Sequence, residues 1–101
     1  MSLKKQYIKT KPVCKVTFVL AKDISVSADK VTLTGEFNNW DIESIVMKKA
    51  KSGEFSTSLE LEKGHEYQFK YVIDGKEWIN ETDADKFVAN EFQSENSVVI
   101  V

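Results

Sequence analysis

Apolar and polar residues alternate one by one along much of the chain, which is the period of a strand with one buried face. The pattern is cleanest over 54–62, where Phe55, Thr57, Leu59 and Leu61 share one face and Ser56, Ser58, Glu60 and Glu62 the other. Over 13–20, Cys14, Val16, Phe18 and Leu20 fall inward, with Lys15 and Thr17 outward. Residues 31–37 put Val31, Leu33 and Phe37 inside. Residues 65–73 set His65, Tyr67, Phe69, Tyr71 and Ile73 against an outer row of Glu66, Gln68, Lys70 and Val72. Weaker strands are predicted at 44–49 (Ile45 and Met47 on one face), 77–80 and 97–101. Turn chemistry separates these runs at Asn38-Asn39, Ser52-Gly53, Lys63-Gly64 and Asp74-Gly75. Residues 21–30 read as a loop with a short extended piece at Ile24 to Val26. Residues 81–90 read as irregular, with a helical turn around 83–86. Six or seven short strands about ten residues apart predict an all-β sandwich or barrel.

Length and charge narrow the picture. The chain's 101 residues make one domain, predicted to occupy 13–101 behind a flexible leader at 1–12. A formal net charge of −2 leaves no basic footprint for nucleic acid. No apolar stretch reaches the length of a membrane span. Cys14 is the single cysteine and lies in an apolar run, so neither an intramolecular disulfide nor a cysteine-based metal cluster is expected. A lone thiol and an N-terminus without an apolar signal core predict a cytoplasmic setting.

Candidate chemistry is sparse. Acid–base catalysis needs paired groups across a cleft. The acids here (Glu36, Asp41, Asp83 and Asp85 among them) sit at turns or on outward faces, with nothing marking two as partners. His65 is the single histidine and reads as structural. There is no phosphate-binding glycine loop, so neither an enzyme nor a cofactor is expected. The aromatic residues say more. Phe18, Phe37, Phe55, Tyr67, Phe69 and Tyr71 occupy inward positions, but Trp40 and Trp78 do not follow the pattern.

Trp40 lies in a polar turn, where its ring is either exposed or a lid over the edge of the core. Trp78 depends on hairpin register. A two-residue loop pairs Tyr71 with Trp78 and sends the indole into the core. A three-residue loop, Asp74-Gly75-Lys76, pairs Val72 with Trp78 and sets the indole beside Lys70 on the outer face. Glycine at the second loop position suits the longer loop. Exposed indoles beside a lysine and side-chain amides match a pyranose, which has an apolar C–H face and a rim of hydroxyls.

Val31-Thr32-Leu33-Thr34-Gly35-Glu36-Phe37-Asn38-Asn39-Trp40 resembles the "V-x-L-x-G-x-F-N-x-W" signature of carbohydrate-binding module family 48. That family includes the glycogen-binding domain of the AMP-activated kinase β subunit and the early-set domain ahead of the barrel in isoamylases and branching enzymes. Matches continue in order through Met47-Lys48-Lys49, Gly64 to Tyr71, Val72-Ile73-Asp74-Gly75, and Asn90-Glu91-Phe92 to Asn96-Ser97-Val98-Val99. The layout is similar to stand-alone bacterial forms. The resemblance implies an immunoglobulin-like, early-set β-sandwich of about seven strands that binds α-1,4-linked glucan without catalysis. It places the sugar contacts on Trp40, Lys70, Trp78, Phe92, Ser94 and Asn96. Two departures stand out: an extra residue between Asp74-Gly75 and Trp78, and Gln93 where the family's last loop carries glycine. The alternative is a domain of the same fold that docks a glucan-active enzyme or a second copy of itself through an edge strand.

Overall fold

The strongest alternation produces the longest pairing. Strand β2 (Val13–Leu20) runs antiparallel to β5 (Phe55–Glu62) along its whole length. The register sets Cys14 against Leu61, Val16 against Leu59 and Leu20 against Phe55, so the two apolar rows form one face. On the other face the Thr17 and Ser58 hydroxyls bond each other at 2.9 Å. The outer edges of this sheet are β1 (Leu3–Tyr7) on β2 and the two-residue β4 (Lys48–Lys49) on β5. A computed structural model describes residues 3–20, 28–81, 83–90 and 95–101 of the chain. The extended piece expected at Ile24 to Val26 lies outside the described residues, as do Phe92 and Ser94.

The second sheet is built around β6 (Glu66–Ile73). One side of β6 carries β3 (Val31–Gly35), with Val31 opposite Ile73 and Gly35 opposite Phe69. Its other side is shared by two strands end to end. Strand β9 (Glu95–Ile100) covers Glu66 to Phe69, and β7 (Glu77–Ile79) covers Tyr71 to Ile73. Strand β8 (Lys86–Ala89) closes the far edge on β9. The two antiparallel sheets form the predicted all-β, early-set sandwich.

The core lies where the inner faces meet. Val16, Phe18, Leu20, Phe55 and Leu61 of the first sheet meet Val31, Leu33, Phe69, Tyr71 and Val99 of the second, each at most 5% exposed. Side chains of this size stabilise by about 1.5–3 kcal/mol each when fully buried. Phe69 meets Phe18 and Tyr71 edge-on, at centroid distances of 5.0 and 5.9 Å. Cys14 is a free, buried thiol.

The structure corrects four expectations. Residues 3–7 are a paired strand rather than a flexible leader. Leu3 is buried opposite Phe18, and Lys5 Nζ reaches Asp85 Oδ2 at 2.6 Å, tying the first sheet to the start of β8. Residues 86–89, expected to be irregular, pair with β9 over Val98 to Glu95. Strand β3 ends at Gly35, and Glu36–Asn38 form a 3-10 turn that still leaves Phe37 packed on the core. His65 is exposed rather than inward, with Nε2 3.5 Å from a Glu62 carboxylate oxygen.

A buried polar seam joins the two strands that share the edge of β6. The Tyr71 hydroxyl donates to Glu81 Oε1 at 2.6 Å, and Glu81 Oε2 accepts the Asp83 amide at 2.9 Å. The Glu81 amide donates to Ser97 Oγ, which itself donates to Asn80 Oδ1. Burial first, then the Glu81 and Asp83 charges, raise the Tyr71 phenol far above its ordinary range.

Candidate functional site

The loop carrying Trp40 is held by Gly35 and Asn38. A Cβ on Gly35 would stand 2.4 Å from the Gln68 carbonyl oxygen and 2.9 Å from Phe69 Cβ, so only glycine lets β3 approach β6 this closely. Asn38 Oδ1 accepts the Gly35 amide at 2.9 Å. Its Nδ2 donates to Asp41 O and Ser44 Oγ, each at 3.0 Å, and lies 3.3 Å from Leu33 O. The chain then takes two left-handed residues, Asn39 (φ 56°) and Trp40 (φ 61°). Asparagine tolerates that region, but tryptophan does not favour it. The bond from the Trp40 amide to Gly35 O, 2.8 Å, holds it there. Trp40 is half-buried, between the two placements the sequence left open.

Trp78 is set by its hairpin. Asp74 and Gly75 both have positive φ, 53° and 70°, as the central residues of a type I′ turn require. Lys76 N bonds Ile73 O across that turn at 3.0 Å. Pairing nonetheless resumes at Glu77, opposite Ile73. Lys76 is therefore the bulged residue, and the family's extra position is absorbed there. Val72 pairs with Trp78, and the indole stands on the outer face, 45% exposed. Asp74 Oδ1 also accepts the Asp29 and Lys30 amides, both at 2.9 Å, which pins the turn to the start of β3.

Register places the remaining positions. On the outer face Thr34 is opposite Lys70, and Thr32 is opposite Val72. Ser97 pairs with Phe69, so Asn96 is level with Lys70 on the far side of β6. One cross-strand row therefore reads Thr34, Lys70, Asn96, and the next reads Thr32, Val72, Trp78. The Asn96 side chain is fixed, donating to Gln68 Oε1 and accepting from Asn90 Nδ2, each at 3.0 Å. Lys70 faces outward as expected, yet only 9% of it is exposed, and it has no hydrogen-bond or ion-pair partner among the described residues. Lysine behaves this way when its stem is covered and its head reaches for solvent. The structure thus gathers Lys70, Trp78 and Asn96 on one face. Trp40 lies on the loop leaving the adjacent strand.

The sequence reading missed Gln68, whose Oε1 fixes the Asn96 side chain. Its outward position in the same alternation, two residues before Lys70, was the available signal. Among the described residues no three His, Cys, Asp or Glu side chains are grouped to hold a metal.

Residues 23–101 match the family model described as the glycogen recognition site of AMP-activated protein kinase. The chain belongs to this family. This glycogen-recognition domain is thereby a glucan-binding module, as its signature residues imply. It is also similar to Protein PTST homolog 2, chloroplastic, of Arabidopsis thaliana. The two are 46% identical over 50 residues, which cover 50% of this chain and 9% of that protein.

Proposed function

We propose that the domain binds α-1,4-linked glucan on the outer face of the second sheet and performs no chemistry on it. Trp78 stacks on one pyranose ring and Trp40 on another. Lys70 and Asn96 bond sugar hydroxyls, and by their positions in the family's pattern Phe92 and Ser94 add further sugar contacts. The observation that carries this reading is the row geometry. An exposed indole stands one row from a lysine head that has no partner among the described residues and from a carboxamide locked in place. An indole matches the apolar face of a sugar, and the polar pair matches its rim. A shallow face with two aromatic anchors gives an affinity of roughly micromolar to millimolar, or ~4–8 kcal/mol. Such a module serves a glucan-active enzyme by keeping the polymer near it.

The test is a titration of intrinsic tryptophan fluorescence with maltoheptaose, since both indoles of the chain are in the proposed site. A saturable change, lost in Trp78→Ala and in Trp40→Ala, is expected. A flat titration at millimolar sugar would overturn the reading and favour docking of a protein on the same face.

A further inference from the structure

The loops that place the two tryptophans also wall a cavity. Its volume is about 140 Å³, and Lys30, Thr32, Ile42, Glu43, Asp74 and Gly75 line it. Ile42 and Glu43 follow Trp40 by two and three residues, and Asp74 and Gly75 precede Trp78 by four and three. Thr32 belongs to the Trp78 row, two strands over with Val72 between, so it lies about 10 Å from Trp78 on the same face. The cavity therefore lies on the same outer face as Trp78, at the far side of the buried Val72.

The lining indicates what fits. Thr32 is 3% exposed, and its Oγ1 is buried without a partner among the described residues. A buried hydroxyl left unpaired is costly, and such a group calls for an explanation. Thr32 is part of the cavity wall, so a ligand hydroxyl seated there is the partner its own hydroxyl lacks. The wall mixes one cation with two carboxylates. That balance disfavours a phosphate-like anion, and the lysine disfavours a bare metal ion. Asp74 already spends one oxygen on the Asp29 and Lys30 amides. Its other oxygen and the Glu43 carboxylate can accept bonds, while Lys30 donates. Ile42 and the Gly75 backbone supply an apolar side. A closed cavity of about 150 Å³ holds a benzene ring, so this partly open space of similar volume takes no more than one sugar ring, with its substituents toward solvent. A neutral, hydroxyl-rich ring fits this description.

We infer that this cavity is a flanking subsite for one further glucosyl residue of a chain lying on the Trp78 platform. The subsite makes the domain a reader of chain length. The inference rests on the glucan reading above. Its test compares wild type, Thr32→Val and Glu43→Gln against maltotriose and maltoheptaose, by calorimetry and by amide chemical shifts. Thr32→Val is isosteric on a strand and removes an unpaired hydroxyl, so it keeps the fold and does not lower the melting temperature. Both variants are expected to bind maltotriose as wild type does and to lose three- to tenfold affinity for maltoheptaose. The Gly75 and Glu43 amides should shift with the long sugar only.

Unchanged maltoheptaose affinity in both variants, with the Trp78 indole still shifting, would sink the subsite and leave the glucan site standing. An equal loss for both sugars would place Thr32 under the platform itself and also overturn the subsite. Wild type that responds to neither sugar would remove both readings together.

Discussion

Gly35→Ala is the substitution for which the structure gives the most explicit expectation. The new methyl would sit 2.4 Å from the Gln68 carbonyl oxygen, where ordinary contact begins at 3.4 Å. It would also meet Phe69 Cβ at 2.9 Å and the tip of the Phe37 ring at 3.0 Å. Phe37 can swing a little. The carbonyl cannot, because it belongs to the central strand of its sheet. Strands β3 and β6 must part by about 1 Å at this point, beside the fully buried Phe69. Overpacking of a well-filled site costs about 1–3 kcal/mol, and a backbone obstacle puts this case at the upper end. For a domain near 100 residues, ~3 kcal/mol lowers the melting temperature by about 12–24 °C. Gly35 O also accepts the Trp40 amide, so the same shift displaces the indole and weakens sugar binding at temperatures where the variant is folded. Thermal unfolding followed by circular dichroism tests the first part, and maltoheptaose titration at 10 °C the second. A melting temperature within about 2 °C of wild type would refute the close-approach argument, whatever the sugar did.

Asn38→Ala removes the side chain that bonds Gly35, Asp41 and Ser44, and should cost about 2 kcal/mol in urea unfolding while lowering glucan affinity further than stability alone explains. Tyr71→Phe leaves the buried Glu81 carboxylate without its hydroxyl donor and should cost about 1.5–3 kcal/mol by the same assay. The raised Tyr71 phenol also sets a pH dependence. Its folded-state stabilisation is complete below the unfolded value near 10 and declines as alkali ionises the unfolded chain first, so stability should fall above about pH 10. Tyr71→Phe should flatten that fall, and absorbance at about 295 nm should show one of the three tyrosines un-ionised until the protein unfolds. Lys5→Ala breaks an ion pair whose side chains are only 26% and 28% exposed, at the rim of the sandwich, and should cost about 0.5–1 kcal/mol, measured as a small drop in denaturation midpoint.

Legibility followed the depth of the alternation. Strands β2, β5 and β6 could be read because each carries three or four apolar residues at period two. Strand β1 could not, because Leu3-Lys4-Lys5-Gln6-Tyr7 presents one buried side chain, and Lys5 takes an inner-face position only by reaching Asp85 at the sandwich rim. Strand β8 is a short edge whose side chains are mostly exposed, so burial left little mark on its composition. The position of Trp78 could be reduced to two registers, of which the glycine at the second loop position suited the outer-face one. The bulge at Lys76 decides between them, and one residue of slip reverses a whole face. Lys70 was readable as outward, but its near-complete burial was not, because alternation says which way a residue points and nothing about what lies over it.

The matched segment begins at residue 23, downstream of β1 and β2. Those two strands nonetheless supply Leu3, Cys14, Val16, Phe18 and Leu20 to the interior. The region that resembles its relatives and the region that must fold together are therefore different lengths of chain. A fragment cut at residue 23 would keep the face proposed to hold sugar and lose half of the sheet behind it. In a fusion or a longer natural chain, residues 3–20 act as a structural prologue. Their outward side chains are free to drift, while their inward ones are bound to the domain that follows.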